Sequence, residues 1–292
     1  MRTQNCLHRG TRNNFSRIHL PFTLAHPAAI LPFLRQPFVP IALVAGAMAP
    51  DLPYFTMVSS TSTAWYANVL NGANSHDFAQ ILSVGLPLSL ILTAILWLVV
   101  KPLRWALPES WVPQKPVFKG RPPTSARVAL WTFYSLMVGL LTHLVWDSVT
   151  HTNGWVVERV PLLASEPFAG IAVYRLLQHG STLAGLVILV FWYLKRRKNS
   201  THLDKKTAPV SKKLRTVFLI LVLAIVAVTA AVSGLGSSTV LEDPIGAESF
   251  LWIIITRGGA ALLVTLVCLA VVWHVVALIR LLSTMLRANN RA

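Results

Sequence analysis

The stretch VALWTFYSLMVGLLTHLVWDSVTHTNG, residues 128–154, decides how this chain folds. Its first part is an apolar run long enough to cross a hydrocarbon layer of about 30 Å as a helix. Its last part carries His143, Asp147 and His151 at intervals of four residues, so neighbours in the series share a helix face. Ionisable side chains are costly inside a membrane segment and usually mark function. The stretch therefore predicts a membrane-spanning helix with a functional site at its end.

The rest of the composition also belongs to a membrane protein. The 292 residues are 54% hydrophobic and 12% charged, against about 25% charged residues in soluble domains. Apolar runs of membrane-spanning length predict helices at residues 78–100, 128–150, 175–194, 214–236 and 250–282. The last of these is long enough to tilt or to extend past the lipid. We predict an all-α fold, a polytopic membrane helical bundle with five long transmembrane helices.

The N-terminal apolar region is too short in each part to span the membrane. Residues 26–34 and 38–49 are separated by Arg35-Gln36-Pro37, and a run of about twelve residues makes only about 18 Å of helix. The two parts form either a re-entrant helical hairpin or one kinked sixth span. The hairpin brings His26 and Asp51 to one side of the membrane, whereas the kinked span separates them. We favour the hairpin.

The distribution of basic residues predicts the topology. Nine of the 26 Lys and Arg residues lie within 195–215 and six within 101–127, whereas residues 152–174 hold one. This alternation follows the positive-inside rule. The basic loops and the C-terminus are therefore expected in the cytoplasm, in a multi-pass protein of the inner (plasma) membrane. The net charge of +16 then reports topology, and we expect the lipid bilayer, with no nucleic acid, as the partner.

The same patterns divide the chain into four parts. Residues 1–20 lack the apolar core of a signal peptide and are expected to form a disordered basic tail. Residues 21–195 are the membrane domain that carries the His and Asp motifs. Residues 196–213 are a basic cytoplasmic linker, and residues 214–292 hold two C-terminal transmembrane helices.

Under this topology, polar residues from distant stretches converge on the outer end of the bundle. They are Asp51, His76, Asp77, His143, Asp147, His151, Gln178 and His179. Imidazole and carboxylate groups together suit a divalent metal such as zinc, manganese or iron. His143 and His151 lie about 12 Å apart along a helix, too far for one ion. Either Asp147 bridges two ions, or one pair binds and the remaining residue orients a ligand. A proton-relay network is the alternative.

Five motifs carry a resemblance to a known family. They are PFTLAHPA at 21–28, GAMAPDLPY at 46–54, Ser75-His76, the His143–Gly154 segment and Leu176 to Ser181. Over about residues 20–195 the chain resembles the bacterial membrane family of unknown function DUF4184. The motif order is more distantly similar to inner-membrane metal-dependent hydrolases, which in turn resemble zinc-dependent phospholipase C.

The more distant resemblance implies a ligand set and a reaction class. The implied metal ligands are His26, Asp51, His76, His143 and Asp147, with His151 beside them or on a second ion. By this analogy the metal is expected to be zinc. We expect a metal-activated water to attack an ester of a lipid headgroup, or another ester, at the outer face. His151 and Asp77 are the candidates for the general base or its support. A proton- or cation-coupled transporter component and a non-catalytic membrane scaffold are the alternatives.

Overall fold

A computed structural model describes residues 25–56, 63–108, 111–112, 125–167, 170–198, 212–235 and 244–289. Within these ranges the regular structure is helical, with no β-strand. The expected basic tail at 1–20 and most of the linker at 196–213 lie outside the described residues. The all-α prediction is confirmed.

Five helices are long and apolar enough to cross a membrane. They are the continuous stretch Phe78–Ala106, which ends in α3 (Leu86–Ala106), then α4 (Ser125–Thr150), α6 (Val173–Lys198), α7 (Lys212–Leu235) and α8 (Pro244–Asn289). The five predicted spans are therefore confirmed. α6 continues past the predicted end at residue 194 through four basic residues, because such side chains reach from a helix end toward polar surroundings. With 46 residues, α8 is about 69 Å long and exceeds the thickness of a bilayer.

The N-terminal region folds back on itself instead of spanning the membrane. α1 (Pro40–Met48) has nine residues, or about 14 Å of helix. The 3-10 turns His26–Ala28 and Leu31–Phe33 precede it, and a longer 3-10 segment, Ala49–Phe55, follows. Its prolines lack the N–H that an α-helix needs in its interior. The segment carrying His26 and the one carrying Asp51 both reach the end of α4, which is the arrangement that the hairpin predicts.

Short connecting helices complete the end of the bundle where these segments meet. α2 (Gly72–Ser75) precedes the stretch that enters α3, and α5 (Pro161–Ala164) lies between α4 and α6. Asn71 caps the start of α2 by accepting a hydrogen bond from the Ala73 N–H at 2.9 Å. A π-helical turn at Ile81–Gly85 joins the 3-10 turn Phe78–Gln80 to α3.

The contact between α1 and α4 depends on two glycines that let the backbones touch. A Cβ on Gly46 would collide with the carbonyl oxygen of Leu136, and one on Gly139 with the carbonyl oxygen of Leu43. Small residues allow this close approach between membrane helices. Ser135 adds a buried polar contact, since its Oγ accepts a hydrogen bond from the Val39 N–H at 2.8 Å. The register of α1 on α4 is therefore fixed one turn before His143.

We expect Gly139→Ala to destabilise the protein, because the added methyl group meets the α1 backbone and forces the helices apart. Overpacking of this kind costs about 1–3 kcal/mol. Gly180→Ala is the matched control on α6, where nothing lies within 4 Å of the added Cβ. The control should leave stability unchanged or raise it by up to about 1 kcal/mol, from helix propensity. Thermal unfolding of the purified protein in detergent measures both, and equal midpoints would contradict the packing argument.

Candidate metal centre

Four side chains from three separate segments meet at the end of α4. Asp51 comes from the 3-10 segment after α1, His76 follows α2, and His143 and Asp147 lie one turn apart on α4. Each offers one ligand atom, and the four atoms lie within 4.8 Å of one another. We call these four residues the ligand cluster. The chain therefore brings together donors that are up to 96 residues apart in sequence.

The separations within the ligand cluster fit one four-coordinate ion. His143 Nε2 lies 3.3 Å from His76 Nε2 and 3.1 Å from Asp147 Oδ2. His76 Nε2 lies 3.2 Å from Asp51 Oδ1 and 3.3 Å from Asp147 Oδ2. The remaining measured pair, His143 Nε2 and Asp51 Oδ1, is 3.7 Å apart. Ligand atoms bonded at about 2.1 Å at the corners of a tetrahedron are about 3.4 Å apart. The cluster already has nearly that shape.

Both imidazole rings are held with Nε2 directed at the carboxylates. His143 Nδ1 lies 2.8 Å from the carbonyl oxygen of Ala47, and His76 Nδ1 lies 2.7 Å from that of Gly72. A carbonyl oxygen only accepts, so Nδ1 carries the hydrogen and donates in each case. Metal-binding histidines typically donate their second nitrogen to a backbone carbonyl or carboxylate in this way. The remaining nitrogen of each ring is thereby aimed at the candidate ion position.

Each carboxylate leaves one buried oxygen without a hydrogen-bond donor. Among the described residues, Asp51 Oδ2 and Asp147 Oδ1 are buried and accept no hydrogen bond. Asp51 is 1% exposed. Buried carboxylates are costly unless they are paired or coordinate a metal. The donor set and its unpaired oxygens fit a divalent cation, and the nitrogen and oxygen ligands do not by themselves distinguish zinc from manganese or iron.

The charges of the cluster are strongly coupled. Burial opposes ionisation of Asp51, but the charge of His143 and a hydrogen bond from His76 lower the pKa of Asp51 to about 2. Burial also opposes the charge on His76, but hydrogen bonds to Asp147 and Asp51 raise the pKa of His76 well above its usual value. The site thus favours positive charge between two ionised carboxylates. A proton and a metal ion compete for that place on His76.

The two outlying histidines lie on the other oxygen of Asp147. His26 Nε2 is 3.6 Å and His151 Nδ1 is 3.4 Å from Asp147 Oδ1. The ring of His26 stacks on that of His143, with centroids 3.8 Å apart and an interplanar angle of 25°. Burial, followed by the charge of His143, lowers the pKa of His26 to about 4. His26 therefore reaches the site as a neutral ring and lies outside the four-atom ligand cluster.

The remaining residues expected at the site have different surroundings. Asp77 is exposed, and its Oδ1 accepts a hydrogen bond from the Ala79 N–H at 2.9 Å as the cap of the next helical turn. Gln178 is buried, with its Nε2 3.4 Å from His151 Nε2. His179, its neighbour in sequence, is exposed. Gln178 thus reaches His151, while Asp77 lies at the rim.

Ser75, which was not among the expected site residues, connects two of the segments that carry the ligand cluster. Its Oγ donates to the carbonyl oxygen of Pro50 at 2.6 Å and lies 3.1 Å from His76 Nδ1. The contact joins the residue before Asp51 to the residue before His76. Its place beside a histidine in a short polar motif was a signal, but its partner lies 25 residues away.

A polar chamber of about 680 Å³ opens onto the cluster. Its walls include two residues of the ligand cluster that are not on α4, two of the α4 end, and acidic and aromatic side chains farther out. They include Asp51, His76, Asp147, His151, Asp77 and Glu158. The ion position is therefore reachable by water and small polar groups.

Comparison with known proteins supports the family resemblance. The chain matches the family model for the domain of unknown function DUF4184 over residues 20–271 and belongs to that family. The match extends past the five motifs into the last two long helices. No curated protein and no solved structure matches the chain.

We expect the purified protein to retain about one divalent ion per chain and His143→Ala to lose it, because the ring supplies one of four ligand atoms. His274→Ala is the control, since His274 contacts the carbonyl oxygen of Leu98 at 3.1 Å, outside the cluster. Metal content by plasma mass spectrometry decides the matter. A wild type and a His143→Ala variant that are equally metal-free would refute the metal centre.

Proposed function

We propose that this member of the DUF4184 family is an integral inner-membrane, metal-dependent hydrolase that cleaves an ester of a lipid headgroup at the outer face. One observation carries the proposal. Four donors from three segments, three of them buried and His76 partly exposed, lie within 4.8 Å of one another at the end of a helical bundle and beside a polar chamber. We propose zinc as the ion, because imidazole and carboxylate are among its usual ligands and its coordination can expand from four to five to admit a water.

The chain's own residues divide the work. Asp51, His76, His143 and Asp147 hold the ion, which when bound supplies Lewis acidity toward water and the ester oxygen. His151 is the proposed general base, because its Nδ1 lies 3.4 Å from Asp147 Oδ1 while its side chain is 20% exposed to the chamber. The neighbouring carboxylate orients the ring.

The proposed reaction is a simple hydrolysis. The oxygen of water joins the phosphorus or acyl carbon, and the ester bond from that atom to the leaving oxygen breaks. His151 takes a proton from water and returns one to the leaving group, which departs as an alcohol. Asp77 lines the polar chamber. Its two oxygens accept hydrogen bonds from the Ala79 N–H and the Gln80 amide, so we propose that it supports the chamber wall.

The proposed sidedness follows from charge. The site lies at the end of α4 that precedes residues 152–174, where a single basic residue occurs, and α6 ends in four basic residues at its opposite end. The positive-inside rule places such basic ends in the cytoplasm. The ion position and the chamber then face outward, within reach of lipid headgroups of the outer leaflet.

A proton relay is the second candidate, because His151, Asp147 and His143 form a series of contacts of 3.1–3.4 Å. Intramembrane series of this kind serve in pumps and transporters. The series continues to His76, but Nδ1 of His143 and Nδ1 of His76 each donate to a backbone carbonyl oxygen, that of Ala47 and that of Gly72. A carbonyl oxygen cannot pass a proton on, so the geometry favours a closed site over a path across the bundle.

We expect His151→Ala to keep its metal and lose hydrolysis about 10²–10⁴-fold, the usual contribution of a general base. Asp147→Asn should lose both, because Asp147 Oδ2 is a ligand atom. The control is His179→Ala, which changes an exposed histidine of α6 near the same end. The assay is turnover of phosphatidylethanolamine and phosphatidylglycerol by the metal-loaded protein in vesicles.

Three results would each contradict a different part of this proposal. Full activity of His151→Ala would remove the base assignment. If the metal-loaded wild-type protein hydrolysed none of a panel of lipids with different headgroups, the interpretation that remains would be a metal-stabilised scaffold without catalysis. Cation flux driven by a pH gradient across the vesicles, abolished by Asp147→Asn, would establish the transporter alternative instead.

A further inference from the structure

A second cavity, which we call the lipid groove, adjoins the candidate metal centre at Asp147. It has a volume of about 240 Å³ and lies between the turn at His26–Ala28, α4 and α6. Small side chains form much of its wall and leave room between the helices. The lining residues include His26, Trp146, Asp147, Gln178, Ala184 and Ile188.

The lipid groove is polar at one end and apolar at the other. His26, Asp147 and Gln178 lie at the end beside the candidate metal centre, whereas Ala184 and Ile188 lie farther along α6. Ten residues separate Gln178 from Ile188, or about 15 Å along the helix axis. The cavity thus runs from the candidate metal centre into the depth of the membrane-spanning segment.

The groove opens on the surface that faces lipid. Trp146 and Ile188 line it and are 46% and 51% exposed, and both lie in membrane-spanning helices. In the hydrocarbon layer, the molecules available to enter such an opening are lipid chains. At the polar end, Asp147 Oδ1 is buried without a hydrogen-bond donor. The groove therefore offers apolar walls to a chain and a polar end beside the candidate metal centre.

The groove and the polar chamber meet at the same two residues. Asp147 and His151 line both cavities, so the ion position lies between a lipid-facing opening and a water-accessible one. A molecule that fills both must have a hydrocarbon part, a polar part and a junction between them. The junction is then the part next to the ligand cluster.

We propose that the lipid groove binds one hydrocarbon chain of a membrane lipid, so that the headgroup ester of that lipid lies at the ion position and the headgroup occupies the polar chamber. This inference rests on the proposed function and names its substrate class as a lipid taken directly from the bilayer. The chain-binding step selects amphiphiles over water-soluble esters.

The other large cavity does not combine these features. It measures about 440 Å³ and lies between α7, α8 and the segment Ala49–Phe55. Its described lining consists of apolar side chains and glycines, with Leu52 and Phe55 at the end nearest Asp51. Because its lining includes no residue of the ligand cluster, a chain bound there would not place its ester at the ion position.

Ala184→Phe tests the proposal, because the added ring fills the lipid groove from α6. Val187→Phe is the matched control, since Val187 is 50% exposed on the same helix and does not line the groove. Each full-length protein is placed in vesicles of phosphatidylethanolamine and phosphatidylglycerol that contain a phosphatidylglycerol with a photoreactive diazirine in one acyl chain. Peptide mass spectrometry then locates the cross-links, and metal content is measured in parallel.

We expect cross-links on the groove-lining positions 181–188 and 25–29, at least five-fold weaker in Ala184→Phe and unchanged in Val187→Phe. Labelling of these positions that is equal in all three proteins, or no stronger than on the exposed surface of α7, would overturn the lipid groove. If metal is retained in that case, the metal centre stands and only the chain-binding site fails. Selective groove labelling of a protein without metal would support lipid binding and refute hydrolysis.

Discussion

Two carboxylates share one buried position in this bundle, and the rest of the site is arranged around their charge. Asp51 and Asp147 both lie within 3.3 Å of His76 Nε2, and each is less than a tenth exposed. Separating two such charges from water is costly unless a cation or proton lies between them. The contact between α1 and α4 contributes to this arrangement. Gly46 and Gly139 let the two helices approach closely, and this brings the carbonyl oxygen of Ala47 to Nδ1 of His143. Backbone packing thus sets the direction in which a ligand nitrogen points.

The long helices follow from the sequence because membrane crossing depends on a local property, the length of an apolar run. The α4 ligands were likewise visible, since a four-residue interval places His143 and Asp147 on one face whatever else the chain does. To predict that Asp51 and His76 converge on that face, the membrane topology was needed as well. The distribution of basic residues among the loops indicated that topology. These parts of the fold and of the candidate site depend on patterns within a few turns of helix or on the charge of whole loops.

What the sequence left open depends on contacts across the bundle. Periodicity shows that His151 lies one turn beyond Asp147, but not which carboxylate oxygen it approaches. The stacking of His26 on His143 joins segments more than 110 residues apart, and no helical period encodes it. The link from Ser75 to the Pro50 carbonyl is of the same kind. Motif order brought His26 into the expected ligand set, whereas the distances that separate it from the four-atom cluster exist only in the folded chain.

Asp147 gives the site two sides, and this bears on why such a centre is built within a membrane. Its Oδ2 belongs to the ligand cluster, while its Oδ1 lies toward His26 and His151 and lines the passage between the lipid groove and the polar chamber. A soluble hydrolase must first extract a lipid chain from the bilayer and pay the free energy of exposing it to water, about 0.8 kcal/mol for each methylene group. Under the proposed function, a groove that opens between membrane helices avoids that exposure, because the chain stays among apolar side chains while only the ester reaches the ion position. The shallow depth of the ligands, at one end of α4 and not at its middle, is what this division between water and lipid requires.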